Sequence, residues 1–106
     1  MKHEFDANVT PVTDHGATVV VRGDFDAACV ARFDERVGVL AGTQHAVSVD
    51  LCGCTIIDSA ALGALIRLAD SCRSTKFETV VAKPFQIELL RITGLDDFLS
   101  MRVRDD

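Results

Sequence analysis

The hydrophobic pattern of the chain changes period several times, and this alternation limits the folds that it can adopt. Residues 17–21 are rich in β-branched side chains, and residues 46–51 alternate between apolar and polar ones, as half-buried strands do. Between these two strands the apolar residues recur at the spacing of a helix, namely Val30, Phe33, Val37 and Leu40. A chain that alternates strands with helices forms a sheet with helices packed against it.

The start of the chain and its middle fit the same scheme. Residues 4–11 alternate loosely and predict a first strand, which Asp14-His15-Gly16 turns back as a hairpin. Asp26 is expected to cap the first helix, and Gly42 to end it. After the strand that ends at Leu51 we expect a loop, and then a second helix with one apolar stripe: Leu62, Leu65, Ile66, Ala69 and Cys72.

The last third of the chain predicts one more strand and one more helix. Residues 77–82 read as a strand, and Pro84 suits the first position of a helix that Thr93-Gly94 closes. Four side chains of this helix are expected to face inward: Phe85, Ile87, Leu89 and Leu90. A last apolar turn is predicted before a polar tail, with Leu95, Phe98 and Leu99.

The element order is therefore β-β-α-β-α-β-α over a single domain, residues 1–106. Helices between the later strands imply right-handed crossovers that join parallel strands, whereas the first hairpin is antiparallel. The predicted fold class is α/β, with a small mixed β-sheet backed by helices.

Composition and charge exclude several classes of function. Hydrophobic residues make up 48% of the 106 residues and charged residues 25%, the balance of a globular domain, and no apolar run is long enough to span a membrane. The first residues lack the apolar segment of a signal peptide, so we expect a cytoplasmic protein. With a net charge of −5 and scattered basic residues, the chain is not expected to bind nucleic acid.

The four cysteines, Cys29, Cys52, Cys54 and Cys72, do not predict a metal site. Their spacing lacks the paired CxxC knuckles of common zinc sites, and two of them fall on the apolar stripes of predicted helices. We expect reduced cysteines that act as small buried hydrophobic residues.

The segment from Val49 to Leu65 is the strongest candidate for a functional site, because a strand ends there and a helix begins. Asp58 or Ser59 before an apolar run is also an ordinary helix cap, so a purely structural role is open. A hydroxyl at a helix amino terminus can alternatively accept a phosphoryl group, which the unpaired N–H groups and the helix dipole favour. Ser59 is therefore a candidate for regulatory modification.

Enzymatic readings of the same residues are weaker. A serine nucleophile needs a nearby base, but all three histidines lie in the amino-terminal half, and Ser59 has no G-x-S-x-G context. Asp24 and Asp26 could bind magnesium or act as an acid–base pair, although a turn at Gly23 followed by an aspartate cap explains them as well. We do not expect an enzyme.

Three motifs in order give the chain a resemblance to a known family. Residues 23–26 (GDFD) look like a G-E-L-D turn, and residues 49–51 (VDL) with 56–59 (IIDS) and 62–63 (LG) look like the signature DL…(F/I)-D-S-S-G-L-G. Residues 89–95 (LLRITGL) are similar to a late L…T-G-L segment. Over nearly its whole length the chain resembles the STAS domains of bacterial anti-sigma factor antagonists, and the predicted β-β-α-β-α-β-α order agrees with a STAS-like fold.

The resemblance implies a regulatory role in transcription. In that family the unphosphorylated antagonist binds an anti-sigma factor, which is a serine kinase of the GHKL type, and so frees a sigma factor, as in stress responses. The kinase phosphorylates the serine of the D-S motif, here Ser59, and the complex dissociates until a PP2C-type phosphatase resets the cycle. Mg²⁺ and ATP belong to the kinase, so no cofactor is expected on this chain.

The resemblance also places the residues that bind the partner. Asp58 matches the acidic residue before the phosphorylated serine, and Asp26 matches the last residue of the G-E-L-D turn, which lies near it in the family fold. We expect the docking surface to contain four residues, Asp26, Asp58, Ser59 and Leu62. The buried face of the same helix is expected to serve stability alone, through Leu65, Ile66 and Ala69.

The chain departs from the family pattern directly after Ser59, where Ala60-Ala61 stands in place of the usual Ser-Gly. This change removes an alternative phosphorylation site and introduces a methyl group in place of a glycine hydrogen. An alternative function is a stand-alone STAS subunit of a transporter or lipid-transport complex, or of a signalling scaffold, without a phosphorylation switch. The intact D-S motif favours regulation by phosphorylation.

Overall fold

A computed structural model of the chain describes residues 3–10, 16–40, 46–72 and 76–104. One sheet contains five strands in chain order: β1 (Asp6–Val9), β2 (Ala17–Phe25), β3 (Val47–Ile57), β4 (Phe77–Val81) and β5 (Met101–Val103). β1 and β2 pair antiparallel, which confirms the predicted hairpin, and all other neighbours pair parallel. The predicted α/β class with a small mixed sheet is confirmed.

Four helices connect the parallel strands: α1 (Val30–Val37), α2 (Ser59–Ser71), α3 (Pro84–Ile92) and α4 (Leu95–Phe98). A short 3₁₀ turn, Ala27–Cys29, precedes α1, and a second one, Gly38–Leu40, follows it. Since the strands follow one another across the sheet in chain order, crossovers of one hand place all the helices on the same face. The alternating burial along β2 agrees with a sheet that is covered on one face.

The core lies between that face of the sheet and the helices. Val19, Val49 and Leu51 contribute it from the strands, and Leu65 and Leu90 from the helices, all with at most 1% of their surface exposed. The rings of Phe5, Phe25 and Phe33 continue this core toward the end of β2, with centroid separations of 5.4 and 4.8 Å. Offset and tilted ring pairs at these distances stabilise a core beyond the area that they bury.

Several predicted boundaries are confirmed, and others are wrong. β4 and the start of α3 at Pro84 lie where they are predicted. β3 does not end at Leu51 but continues to Ile57, and the predicted polar tail contains β5. Phe85 was expected to face inward, but 39% of its surface is exposed. Gly42 and the first two residues of the Asp14-His15-Gly16 turn lie outside the described residues.

The extension of β3 depends on Gln86, a fully buried amide on α3. β4 pairs with β3 only as far as Asp50, so the last part of β3 has no strand on that side. The Gln86 Nε2 atom donates to the carbonyl oxygens of Leu51 (2.8 Å) and Cys54 (3.0 Å). Its Oε1 atom accepts from the N–H groups of Ala82 and Lys83, both at 3.0 Å. The Gln86 side chain therefore forms hydrogen bonds to the last part of β3 that a neighbouring strand would otherwise form.

The uncovered face of the sheet carries ion pairs that hold β5 in place. Arg102 on β5 binds Glu78 on β4 through both carboxylate oxygens, and Ser48 on β3 donates to the same carboxylate at 3.1 Å. Arg104, just after β5, pairs with Asp50 on β3. These contacts join β5, a strand of only three residues, to β3 and β4.

The same contacts shift the pKa values of the two carboxyl groups. Hydrogen bonds from Arg102 lower the pKa of Glu78, against a weaker opposing effect of burial. Partial burial by itself would raise the pKa of Asp50, but hydrogen bonds from the Cys52 N–H group and from Arg104 outweigh it and lower the pKa.

Within the described residues, no helix is long and apolar enough to span a membrane.

We predict that these two carboxylates make the fold sensitive to acid. Because the pKa values of Asp50 and Glu78 are lower in the folded state, their contribution to stability is complete above the ordinary carboxyl pKa values of about 4 to 4.5 and is lost as the pH falls through the lowered folded-state values. Urea unfolding at a series of pH values should show that Asp50→Asn/Glu78→Gln loses less stability over this range than the unsubstituted protein. With allowance for solvent screening, the difference should be roughly 1 kcal/mol. Parallel pH profiles for the two proteins would contradict the assignment.

We also predict that Gln86→Leu is strongly destabilising although it inserts an apolar residue into the interior. The substitution leaves partly buried backbone donors at Ala82 and Lys83 and a buried acceptor at Leu51 without the Gln86 amide, so the free energy of unfolding should fall by about 3 kcal/mol or more. Glu88→Leu on the exposed side of the same helix is the matched control and should change stability by less than about 0.5 kcal/mol. Equal unfolding midpoints in urea would disprove the bridging role.

Candidate functional site

The carboxyl ends of β2 and β3 lie side by side and bring two predicted site residues together. Phe25 pairs with Ile57 in the parallel register, and the N–H group of Asp58 donates to the Phe25 carbonyl oxygen at 3.2 Å. Asp26 and Asp58, the next residues on the two strands, therefore leave the sheet at neighbouring positions. This is the edge of a parallel sheet at which sites commonly form.

Asp58 binds two backbone segments at once. Its Oδ1 atom accepts from the N–H group of Ala61 at 2.9 Å, which caps α2 and confirms the predicted helix start. Its Oδ2 atom accepts from the N–H group of Ala27, also at 2.9 Å, in the 3₁₀ turn after β2. The carboxylate thus holds the amino end of α2 against the turn that follows β2.

Asp26 has a simpler role, because its carboxylate accepts one N–H group, that of Ala28 at 3.1 Å. It caps the 3₁₀ turn that leads into α1, as the sequence predicts. Asp24, its neighbour in the GDFD motif, is buried with 3% of its surface exposed and lies within β2. The two carboxylates are therefore placed as a buried strand residue and a helix cap, which supports the structural explanation of this motif over a magnesium or acid–base pair.

Ser59 is the first residue of α2 and is exposed to solvent. The helix is capped by Asp58 and not by the Ser59 hydroxyl, for which the described part of the chain supplies no hydrogen-bond partner. The hydroxyl is thus accessible beside the first turn of a helix of thirteen residues. A phosphoryl group there would meet the positive end of the helix dipole.

Leu62 does not lie on the surface as the docking hypothesis expects. Only 7% of it is exposed, because it follows Asp58 by one helical turn and points with Leu65 and Ala69 into the core. The burial of Leu65 and Ala69 confirms the predicted buried face, whereas Ile66 is only half-buried. Leu62 therefore belongs to the core and presents no side chain for docking.

The two alanines after Ser59 differ in burial. Ala61 is fully buried, so its methyl group, which replaces a glycine hydrogen of the family pattern, lies in the core and not toward a partner. Ala60 is half-buried beside the exposed Ser59. The Ala60-Ala61 departure thus leaves the surface around Ser59 accessible.

An exposed apolar surface next to Asp58 is a feature that the sequence pattern did not predict. Ile56, Phe85 and Ile92 have 48%, 39% and 75% of their surfaces exposed. They line one shallow groove of about 410 Å³ between the end of β3 and α3, together with Thr55 and Leu89. The sequence does not reveal this apolar surface for two reasons. Phe85 and Ile92 lie in a helix whose apolar side chains are expected to face the core, and Ile56 lies in a segment that is predicted as a loop.

The cysteines form no reactive or metal-binding cluster in the part of the chain that is described. Cys29, Cys54 and Cys72 are buried, Cys52 is half-buried, and none of the four is in a disulfide. Burial raises the pKa of the Cys54 thiol to about 12, so this thiol stays protonated at neutral pH. The expectation of buried, reduced cysteines is confirmed for three of the four.

Comparison with protein families finds one match over most of the chain. A family model described as "Mlab, STAS domain" matches residues 9–102. These residues include both strands that end at the candidate site, as well as Asp26, Asp58 and Ser59. Comparison with curated protein sequences gives no significant match.

Comparison with solved structures finds the same fold in two bacterial regulators. An anti-sigma factor antagonist from Mycobacterium paratuberculosis superposes with a TM-score of 0.82 at 21% identity, over 92% of this chain and 85% of that one. The Bacillus cell fate determinant SpoIIAA in its phosphorylated form superposes with a TM-score of 0.64 at 16% identity, over 95% of this chain and 93% of that one. At these identities the comparison shows a shared fold.

The two site carboxylates give a matched pair of predictions. In Asp58→Asn the amide retains only one acceptor oxygen for two N–H groups, so we expect the free energy of unfolding to fall by about 1–2 kcal/mol. In Asp26→Asn the remaining oxygen can still accept from Ala28, so the change should stay below about 0.5 kcal/mol. Urea unfolding of both variants tests this difference, and equal losses would contradict the double role of Asp58.

Proposed function

The chain belongs to the STAS domain family, and on that basis we propose that it is an anti-sigma factor antagonist regulated by phosphorylation of Ser59. The observation that carries the proposal is the exposed Ser59 hydroxyl, which lies beside two ordered aspartates at the joint end of β2 and β3. Unphosphorylated, the protein binds an anti-sigma factor and so releases a sigma factor for transcription. It is a binding protein and not an enzyme.

The switch is a phosphoryl transfer that the partner catalyses. The proposed partner is an anti-sigma factor of the GHKL serine kinase type, which holds Mg²⁺ and ATP. The Ser59 Oγ atom forms a bond to the γ-phosphorus of ATP while the bond from that phosphorus to the ADP oxygen breaks, and the hydroxyl proton passes to a base of the kinase. A PP2C-type phosphatase would hydrolyse the phosphoserine and restore the binding form.

The geometry supports a switch that changes the surface and preserves the fold. A phosphate adds about −1.5 to −2 charges next to Asp58 and Asp26, on a chain whose net charge is already −5. The first turn of α2 favours this charge, so the helix keeps its start. A docked partner, however, would have to desolvate the new dianion, which costs binding energy unless it supplies a matching cation.

The groove beside Asp58 supports a docking surface that is larger than the serine itself. Exposed apolar residues at Ile56, Phe85 and Ile92 lie on the side of β3 and α3. In our proposal these residues form the apolar part of the docking surface, a role that was expected of Leu62, which is buried. An apolar centre with charged groups at its rim is a common composition for a reversible protein interface.

We predict a partner that distinguishes the charge at Ser59. Unsubstituted protein, Ser59→Ala and Ser59→Glu serve as baits in lysate of the native host, and mass spectrometry identifies what each retains. A GHKL-type kinase should bind the first two baits and bind Ser59→Glu at least about tenfold more weakly. The purified kinase with ATP should then phosphorylate the unsubstituted protein and not Ser59→Ala.

The control variant is Ser71→Glu, which adds the same charge at the other end of α2. It should bind the kinase as the unsubstituted protein does, because Ser71 lies far along the helix from the site. If all baits instead recover the same transporter or scaffold proteins, Ser59 is only part of a helix start, and the alternative role without a phosphorylation switch is correct.

A further inference from the structure

The amino-terminal segment, His3–Phe5, crosses the end of β2 next to the candidate site. We call this segment the strap. The N–H group of Asp24 donates to the His3 carbonyl oxygen at 3.1 Å, so the strap extends the β1–β2 pairing toward the site. At Gly23 the backbone has a φ of +82°, and a Cβ atom there would come within 2.0 Å of the Glu4 carbonyl oxygen. The close crossing of the strap therefore requires glycine at this position.

The carboxylate of Asp24 fastens the strap to both central strands. Its Oδ2 atom accepts from the N–H group of His3 at 3.1 Å, and its Oδ1 atom accepts from the Thr55 hydroxyl on β3 at 2.6 Å. Only 3% of Asp24 is exposed, so its carboxylate is largely removed from water. A buried carboxylate is tolerated only with such partners, which makes this contact a strong constraint on where the strap lies.

The strap also contacts the turn that Asp26 and Asp58 hold in place. Phe5 is buried, and the Arg32 guanidinium lies over its ring at 5.2 Å from the centroid. Glu4, Phe5 and Arg32 line a cleft of about 340 Å³ together with Ala28 and Cys29 of the 3₁₀ turn. The strap, the turn and the amino end of α2 therefore form one continuous surface.

We propose that the strap is part of the surface that docks the anti-sigma factor, with Asp24 as the residue that positions it. This inference rests on the proposed function and adds to it a second docking element, from the start of the chain. Glu4 is exposed beside the turn of Asp26, and both are acidic. The partner that fits this rim carries basic side chains opposite them.

The backbone N–H group of residue 3 distinguishes the two variants that test the proposal. His3→Pro removes the N–H group that donates to Asp24, whereas His3→Ala keeps it and removes only the ring. The loss of a hydrogen bond to a buried carboxylate should raise the open population of the strap at least about tenfold. Cys29, which lies beneath the strap with 2% of its surface exposed, reports that opening through its reaction with a maleimide.

The thiol of Cys72, fully buried near the end of α2, is the internal control for global unfolding. Peptide mass spectrometry assigns the label to each cysteine. In His3→Pro the labelling of Cys29 should rise about tenfold while that of Cys72 stays unchanged, and His3→Ala should match the unsubstituted protein. A rise at both cysteines would mean that the bond stabilises the whole fold, and would overturn the strap as a separate element.

Binding is measured with the purified anti-sigma factor that the Ser59→Ala bait retains. His3→Pro should weaken binding about tenfold and raise the KM for phosphorylation at unchanged kcat, and the loss in His3→Ala, which keeps the N–H group, should be clearly smaller. Opening of the strap without any loss of binding would overturn the proposal while the antagonist function stands. If the unsubstituted protein binds no anti-sigma factor, the proposed function itself fails, and this inference with it.

Discussion

The buried amide of Gln86 allows β3, a central strand, to extend beyond the end of its neighbour β4. A strand that is longer than its neighbour leaves buried carbonyl groups without a hydrogen-bond partner. Each such group destabilises the fold by more than an ordinary hydrogen bond stabilises it. Gln86 binds two of them, those of Leu51 and Cys54, while it also accepts the N–H groups at the start of its own helix. The position of α3 and the length of β3 therefore depend on the same side chain.

The length of β3 in turn determines the geometry of the site. Only because β3 reaches Ile57 does Asp58 emerge beside the end of β2, close enough to accept the N–H group of Ala27. Two register shifts between β2 and β3 bring the ends into line, and Gly23 lies at one of them. Such irregularities turn side chains relative to a regular ladder and recur near functional sites. Here Asp24, next to one of the shifts, is buried, and Asp26, just after the end of β2, is half-buried.

Local patterns were sufficient for most of the fold, and long-range contacts explain the errors. The caps at Asp26 and Asp58 are visible in the sequence because capping acts within a few residues. The extension of β3 depends on Gln86, more than thirty positions away in the chain, and β5 depends on ion pairs with Glu78 and Asp50. The motif predicts Asp58 and Ser59 as site residues, and this stays a prediction. Leu62, which the same motif suggests, is buried, and a family signature does not say which of its residues are buried.

At the start of α2, the residue that stabilises the fold differs from the one that we propose as the site of regulation. In many helices the first hydroxyl side chain is itself the cap, and a phosphate on it would disturb the helix start. Here Asp58 supplies the cap and the contact to the neighbouring turn, so the start of the helix does not depend on the Ser59 hydroxyl. A group added at Ser59 can therefore change the charge of the surface without altering the fold beneath it. The proposed phosphorylation and dephosphorylation of Ser59 would therefore leave the fold intact in each cycle.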